Sequence, residues 1–311
     1  KILLFNNPYF RWGDLIWGAA NQAEVDSNFA AYDLLDSSDN IITYGGPEYA
    51  GIPGASTSPL CDPRVTAFQT YFAGQCKKYV DLGGYDGVFL DTVNEEIASW
   101  QLDSNGGNPK NYTVQNWKDG NVDLISAVKT QLDINEDETW FNGITRSPGV
   151  VAAQNATVLT HADGTAAEFF SIGLEYDKTP YDKSQMFPSG MEGDMKGQTD
   201  AGTPCLVEVY TQEDTDLARE SSLAAYLLVY NPSLSWFYHT SIALAGFRVD
   251  WPGYRLQAGA PVAAYSTFEN GALVRYYANL VVIYNPSAAP ILDYFSGDYI
   301  PMYTGRIYVK N

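Results

Sequence analysis

Three carboxylates of this chain stand inside or just past apolar runs. Asp91 closes Tyr85-Asp86-Gly87-Val88-Phe89-Leu90, Glu168 lies in Ala166-Ala167-Glu168-Phe169-Phe170, and Glu208 lies in Leu206-Val207-Glu208-Val209-Tyr210. Two carboxyl groups flanking a scissile bond can split it. One protonates the leaving oxygen, and the other attacks the reacting carbon or activates water. Asp91 follows Val88-Phe89-Leu90, a run typical of a buried parallel strand, and so would stand at that strand's C-terminal end. In a (β/α)8 barrel the active site gathers at that end, which makes Asp91 the first candidate for a catalytic group. Glu168 and Glu208 have apolar neighbours. Desolvation in such surroundings raises a carboxyl's pKa and suits it to act as a general acid. The competing reading of both is a buried acid paired with an arginine or a hydroxyl.

Other predicted strand ends supply Asn6, Tyr44, Asn142, Tyr210, Tyr238 and His239. With Glu208, these could line a sugar subsite; singly, each fits packing behind the site equally well. Glu95 and Glu96 read as capping or solvent-facing residues. Other chemistries find little support. His161 and His239 are the only histidines, and neither stands at metal-ligand spacing with Cys or Asp. No glycine-rich phosphate loop follows a strand, and no Gly-x-Ser-x-Gly elbow occurs. Hydrolysis by carboxylates needs neither metal nor cofactor, and none is expected.

Positioning these residues calls for alternating strands and helices, and the chain reads that way for about 240 residues. The predicted strands are Ile2–Asn6, Tyr32–Asp36, Ile41–Tyr44, Gly87–Leu90, Thr139–Phe141, Ala166–Phe170, Pro204–Tyr210 and Leu234–Tyr238. Helices are predicted over Ala19–Phe29, Val65–Leu82, Asn121–Leu132 and Glu213–Val229. Asp62-Pro63 reads as the N-cap and first turn of the second helix, and Gly83-Gly84 as its end. Thr211 and Asp214 stand in capping-box-like positions before the fourth. The link between the second and third strands is too short for a crossover helix, so the barrel is irregular there or one strand is misread. Past about residue 245, short β-rich runs alternate with Gly, Pro and Asn: Leu273–Tyr277, Leu280–Tyr284, Tyr299–Tyr303 and Arg306–Val309. The expected fold is therefore α/β. A (β/α)8 TIM barrel over residues 1–244 is followed by a small C-terminal antiparallel β-domain over 245–311.

A chain of 311 residues with 45% hydrophobic composition can build a large core. Its formal net charge of -19 argues against nucleic acid or an anionic membrane surface as partner, and fits neutral or cationic material. No run reaches the about 18 apolar residues that a membrane span needs. The 23 Tyr and 7 Trp offer flat faces for stacking on sugar rings, although most would serve the core. The chain opens on strand-like Lys1–Phe5 without an initiator Met or signal peptide, as processing or trimming of a longer chain would leave it. Sequons at Asn111-Tyr112-Thr113 and Asn155-Ala156-Thr157 permit N-glycosylation of a secreted protein. An extracellular or cell-surface location is the expectation. Cys61 and Cys76 could close a short disulfide loop; alternatively, Cys76 shares a helix face with Val65, Phe68, Phe72 and Tyr79 as a buried thiol. Cys205 precedes a strand and reads as core.

The run Tyr85-Asp86-Gly87-Val88-Phe89-Leu90-Asp91-Thr92-Val93 resembles the motif of endo-α-1,4-polygalactosaminidases and related glycoside hydrolase barrels. The resemblance implies that Asp91 is the nucleophile and that a Glu on a later strand, before large apolar residues, is the acid/base. Glu168 matches that position best. Phe268-Glu269-Asn270-Gly271 through Val281-Val282-Ile283-Tyr284-Asn285-Pro286-Ser287 looks like the β-domain of such hydrolases. The expected function is cleavage of a polysaccharide, α-linked and containing amino sugars, with no cofactor. The rival expectation is a carbohydrate-binding or cell-surface structural protein that keeps the barrel without turnover.

Overall fold

In the computed structural model, the described residues are 2–6, 30–43, 59–91, 93, 109–144, 161–168, 191–211, 215–241, 251–287, 289–302 and 304–310. They belong to two compact units: residues 1–143 with 154–164, and residues 144–153 with 165–311. The expected boundary at 244/245 falls inside the second unit.

The first unit carries strands β1 (Leu4–Asn6), β2 (Gly87–Leu90) and β3 (Glu138–Ile144, the last residue excepted), and helices α1 (Thr66–Gly83) and α2 (Val114–Leu132). The pairs β1–β2 and β2–β3 are parallel, with Asn6 opposite Leu90 and Leu90 opposite Phe141. Successive strand residues alternate between two faces. One face presents Val88, Leu90 and Phe141 to Phe68, Phe72, Cys76 and Val80 of α1 and to Leu124, Ile125, Val128 and Leu132 of α2. Burying each of these large side chains contributes roughly 1.5–3 kcal/mol. The other face carries Phe5 and Phe89, whose rings stack with centroids 6.2 Å apart.

Helix α1 ends as its glycines predict. Gly84 takes the left-handed conformation (φ 64°, ψ 36°) and donates its N–H to the Val80 carbonyl. Its start differs from the expectation. Val65, whose side chain offers no acceptor, is the N-cap, and the Asp62 carboxylate is engaged by the Arg64 amide, Nε and Nη2 at 2.9, 2.8 and 2.7 Å. Helix α2 begins seven residues earlier than predicted. Thr113 and Asn116 form a reciprocal capping box there, and polar Gln115, Asn116, Lys118 and Asp119 hide the apolar periodicity of that turn.

The predicted second and third strands are not parallel strands. Leu35 and Ile41 form an isolated antiparallel bridge, Thr43 bridges Pro59, and Asp33 bridges Cys61. The Asp36 carboxylate accepts the amides of Ser38 and Asn40 at 2.7 and 2.9 Å, and Asp39 has φ 64°. This is a tight turn, which explains why no crossover helix fits between the two segments. The predicted helix Ala19–Phe29 lies outside the described residues.

The second unit contains β4 (Gly164–Glu168, the first residue excepted), α3 (Met191–Asp200), β5 (Cys205–Thr211), α4 (Asp216–Val229) and β6 (Ser235–Ser241). The β4–β5 and β5–β6 pairs are parallel. Helix α3 was not predicted: Gly193 and Gly197 together with acidic and polar neighbours give it little intrinsic helix preference. The N-cap of α4 is Thr215, whose hydroxyl accepts the Ala218 amide, rather than Thr211 or Asp214.

Beyond β6 come β7 (Ser266–Thr267), β8 (Leu273–Tyr276), β9 (Leu280–Tyr284), β10 (Ile291–Leu292), β11 (Tyr299–Ile300) and β12 (Gly305–Val309). Four of them form an antiparallel sheet in the order β12-β9-β8-β7, and β10 and β11 form a hairpin. Strand β9 is buried on both faces. Leu280, Val282 and Tyr284 join the core of α4 and β5, while Val281 and Ile283 pack with Val274 and Ile300. Strand β12 approaches α4 so closely that a Cβ at Gly305 would lie 2.5 Å from the Cβ of Ala224. Arg275 Nη1 donates to the carbonyls of Leu227, Leu228 and Tyr230 at 3.0, 2.9 and 2.9 Å, and the Tyr277 hydroxyl donates to Leu227 as well. These bonds satisfy carbonyls that the end of a helix leaves open.

Of the two readings of Cys61 and Cys76, the disulfide does not form: Cys61, Cys76 and Cys205 are buried thiols. Cys76 takes its place on the α1 core face, as the alternative reading has it.

Candidate active site

Asp91 stands one residue past β2, and the parallel ladder continues through it. Its amide donates to the Asn6 carbonyl at 2.8 Å, and the Val93 amide donates to the Asn142 carbonyl at 3.1 Å. The backbone on both sides of Asp91 is thus held by β1 and β3. Parity then places the Asp91 side chain on the face of Phe89, away from the helices. Asn142 follows Trp140 on the matching face of β3, and its Nδ2 donates to Asp91 Oδ1 at 3.0 Å. Asn142 is buried and Asp91 is half-buried.

An anionic oxygen fixed by an amide donor, at the end of a parallel strand, can attack an electrophilic carbon or receive a proton. Sequence reasoning passed over two neighbours of this pair, Phe89 and Trp140. Each lies two residues before its polar partner, so strand parity alone would have placed them on the Asp91 face. Trp140 Nε1 donates to Glu138 at 3.1 Å.

The remaining candidates divide. Asn6 belongs to the helix-facing side, where its Nδ2 donates to Cys76 Sγ at 3.6 Å. In the second unit, Glu168, Glu208 and Tyr238 occupy consecutive register positions on β4, β5 and β6. Glu208 and Tyr238 are half-buried, on the face of β5 and β6 opposite Cys205, Val207 and Val209. Glu168 and Tyr210 are described through their backbones alone: Glu168 ends β4, and Tyr210 pairs with Thr240. His239 pairs with Val209 rather than Glu208, and so turns to the helix-facing side. There it is 2% exposed, bonds through Nδ1 to the Tyr254 hydroxyl, and meets that ring edge-on at 5.8 Å. Strand alternation separates it from Tyr238. Tyr44 lies outside the described residues. Among the described residues, no group of three His, Cys, Asp or Glu side chains could hold a metal ion. No helix among them is long and apolar enough to cross a membrane.

Residues 60–281, which include Asp91, Asn142, Glu168, Glu208 and His239, match the hypothetical glycosyl hydrolase family 15. The chain belongs to this glycosyl hydrolase family. A comparison with curated proteins finds no match. Among solved structures, the chain is similar to a cycloisomaltooligosaccharide glucanotransferase of Paenibacillus sp. complexed with cycloisomaltoheptaose. That match has 12% identity and a TM-score of 0.43, over 90% of this chain and 33% of that one. It is also similar to a Group II chitinase catalytic domain of Ostrinia furnacalis, at 12% identity and a TM-score of 0.34, over 53% of this chain and 43% of that one. A noncanonic maltogenic alpha-amylase of Thermotoga neapolitana matches at 12% identity and a TM-score of 0.44, over 99% of this chain and 75% of that one. The chain thus spans a third of the first of these proteins and less than half of the second. The family assignment rests on the match over residues 60–281.

Proposed function

We propose that the protein hydrolyses glycosidic bonds of a polysaccharide with a pair of carboxylates, on a (β/α)8 barrel. The observation that carries this reading is Asp91, within the family match, fixed at the end of a parallel strand with its carboxylate bonded to Asn142. Asp91 is the proposed nucleophile. Glu168 is the proposed acid/base, with Glu208 at the adjacent register position of β5. In this role Glu168 protonates the leaving oxygen as Asp91 forms a glycosyl ester, then deprotonates the water that cleaves the ester. The product would keep its anomeric configuration. Tyr210, Tyr238 and Glu208 are proposed around the sugar.

The finer proposal is an α-linked substrate containing amino sugars, on a secreted protein. The polygalactosaminidase-like motif ending in Asp91 supports the linkage and the sugar. The net charge of -19 supports the amino sugar too, since it would draw a partly deacetylated, cationic glycan toward the surface. The test is release of reducing ends from a panel of galactosamine-, glucosamine- and glucose-based polysaccharides, by wild type and Asp91→Asn in parallel. Release by wild type, lost by at least about 10³-fold in the variant, is the expected outcome. Equal release by both removes Asp91 from the mechanism. Tight binding by both with no release would support a non-catalytic glycan binder instead.

A further inference from the structure

The sequence left Asn142 open between lining a sugar subsite and packing behind it. Its amide is engaged with Asp91, at 3.0 Å from Nδ2 to Oδ1, and Asn142 is 8% exposed. Its own backbone is committed as well, since its carbonyl receives the Val93 amide across the ladder at 3.1 Å. We infer that Asn142 is a positioning residue, which fixes the orientation of the Asp91 carboxylate rather than binding substrate. This inference rests on the reading of Asp91 as nucleophile, and it deepens that reading.

An aspartate at a strand end has two rotatable side-chain bonds, and its backbone bonds leave them unset. The bond from Asn142 orients the carboxylate group. β3 delivers it from a side chain that the register places beside Asp91, because Leu90 pairs with Phe141 and both chains then advance by one residue. Attack on an anomeric carbon needs the oxygen within a narrow angle, and a displacement of about 1 Å far from the chemistry can cost about a hundredfold in rate. Asn supplies a donor without adding a charge. A Lys or Arg at the same place would form an ion pair with the group that must react.

The other acids on and beside the described strands β2 and β3 have partners of their own. On β3, Glu138 shares the Asp91 face but stands at the far end of the strand, bonded to Trp140. Asp86, before β2, accepts the Ile2 amide at 2.6 Å. β1 carries no titratable side chain among Leu4–Asn6. On α1, Cys76 is buried against the opposite face of the sheet, and Lys77 pairs with Asp81.

Two variants test the inference. Asn142→Leu keeps the volume and removes the donor. Expected is a drop in kcat of about ten- to a hundredfold, with KM held within about twofold. Asn142→Asp places a second carboxyl at the same spot, where two such groups share one proton. Its kcat should be low near neutral pH and should recover as the pH falls and the shared proton restores a donor. Asn142→Leu should not recover. A raised KM with kcat intact in Asn142→Leu would overturn the inference and make Asn142 a substrate contact. So would an Asn142→Asp variant whose pH profile matches that of Asn142→Leu. A crystal structure of Asn142→Leu separates this result from the fate of the nucleophile reading. If Asp91→Asn keeps full activity, the nucleophile reading fails. A swung Asp91 carboxylate in the Leu variant would still uphold the positioning role, and an unmoved one would refute it.

Discussion

Asn6 holds two different groups, one through its backbone and one through its side chain. Its carbonyl receives the Asp91 amide, and its Nδ2 reaches Cys76 on the far side of the sheet. Burial pushes the Cys76 thiol from its ordinary 9.0 up to about 12, against a smaller opposing effect of the Asn6 bond. A thiol whose pKa is higher folded than unfolded contributes stability that is fully present below the unfolded value. That stability is lost as pH rises from about 9 toward about 12. Wild type should therefore lose up to about 1.4 kcal/mol more per pH unit over that window than Cys76→Ala, read as urea unfolding free energies from pH 8 to 11. Parallel pH dependence in the two proteins would contradict this. The strand-end position of Asp91 was legible in the sequence because a continuous apolar run ended on it. Its partnership with Asn142 was not, because pairing depends on the register between strands 51 residues apart.

At the scale of elements, the end of α4 is the clearest dependence of one segment on another. The carbonyls of Leu227 and Leu228 in its last turn, and of Tyr230 just past it, accept from Nη1 of Arg275, whose guanidinium also lies 5.3 Å from the Tyr277 ring centre. A cation at a helix C-terminus also interacts favourably with the helix dipole. Arg275→Ala leaves those carbonyls without this partner and should cost about 2–4 kcal/mol in a chemical denaturation curve. A change below about 0.5 kcal/mol would show that the bonds contribute little. Periodicity found α1 and α4 because their apolar faces are strong, and the glycine at Gly84 marked an end correctly. It misread 32–36 and 41–44, because an apolar–polar alternation looks the same in a parallel strand and in an antiparallel bridge. It missed Met191–Asp200, where glycines and charges mask the one buried face.

At the scale of the molecule, the antiparallel sheet and α4 share one core. Tyr277, Leu280, Val282 and Tyr284 lie in the same cluster as Val207, Ala224 and Leu228. The change in texture near residue 245 was legible as a change from helices to short strands. Composition does not report which segments share a core, so the dependence of α4 on the sheet was not legible. Cutting the chain after residue 250 should expose that cluster and give a product that aggregates or is rapidly digested by protease. A soluble fragment with a cooperative melt would show that the sheet is dispensable. The same arrangement has a consequence for vectorial synthesis. Arg275 follows Leu227 by 48 residues. At about 5–20 residues per second, a ribosome needs roughly 2–10 s to deliver the residue that closes the end of α4. For that interval the nascent helix has neither its terminal partner nor its apolar cover, which makes this stretch of translation the natural point for a chaperone to engage the chain.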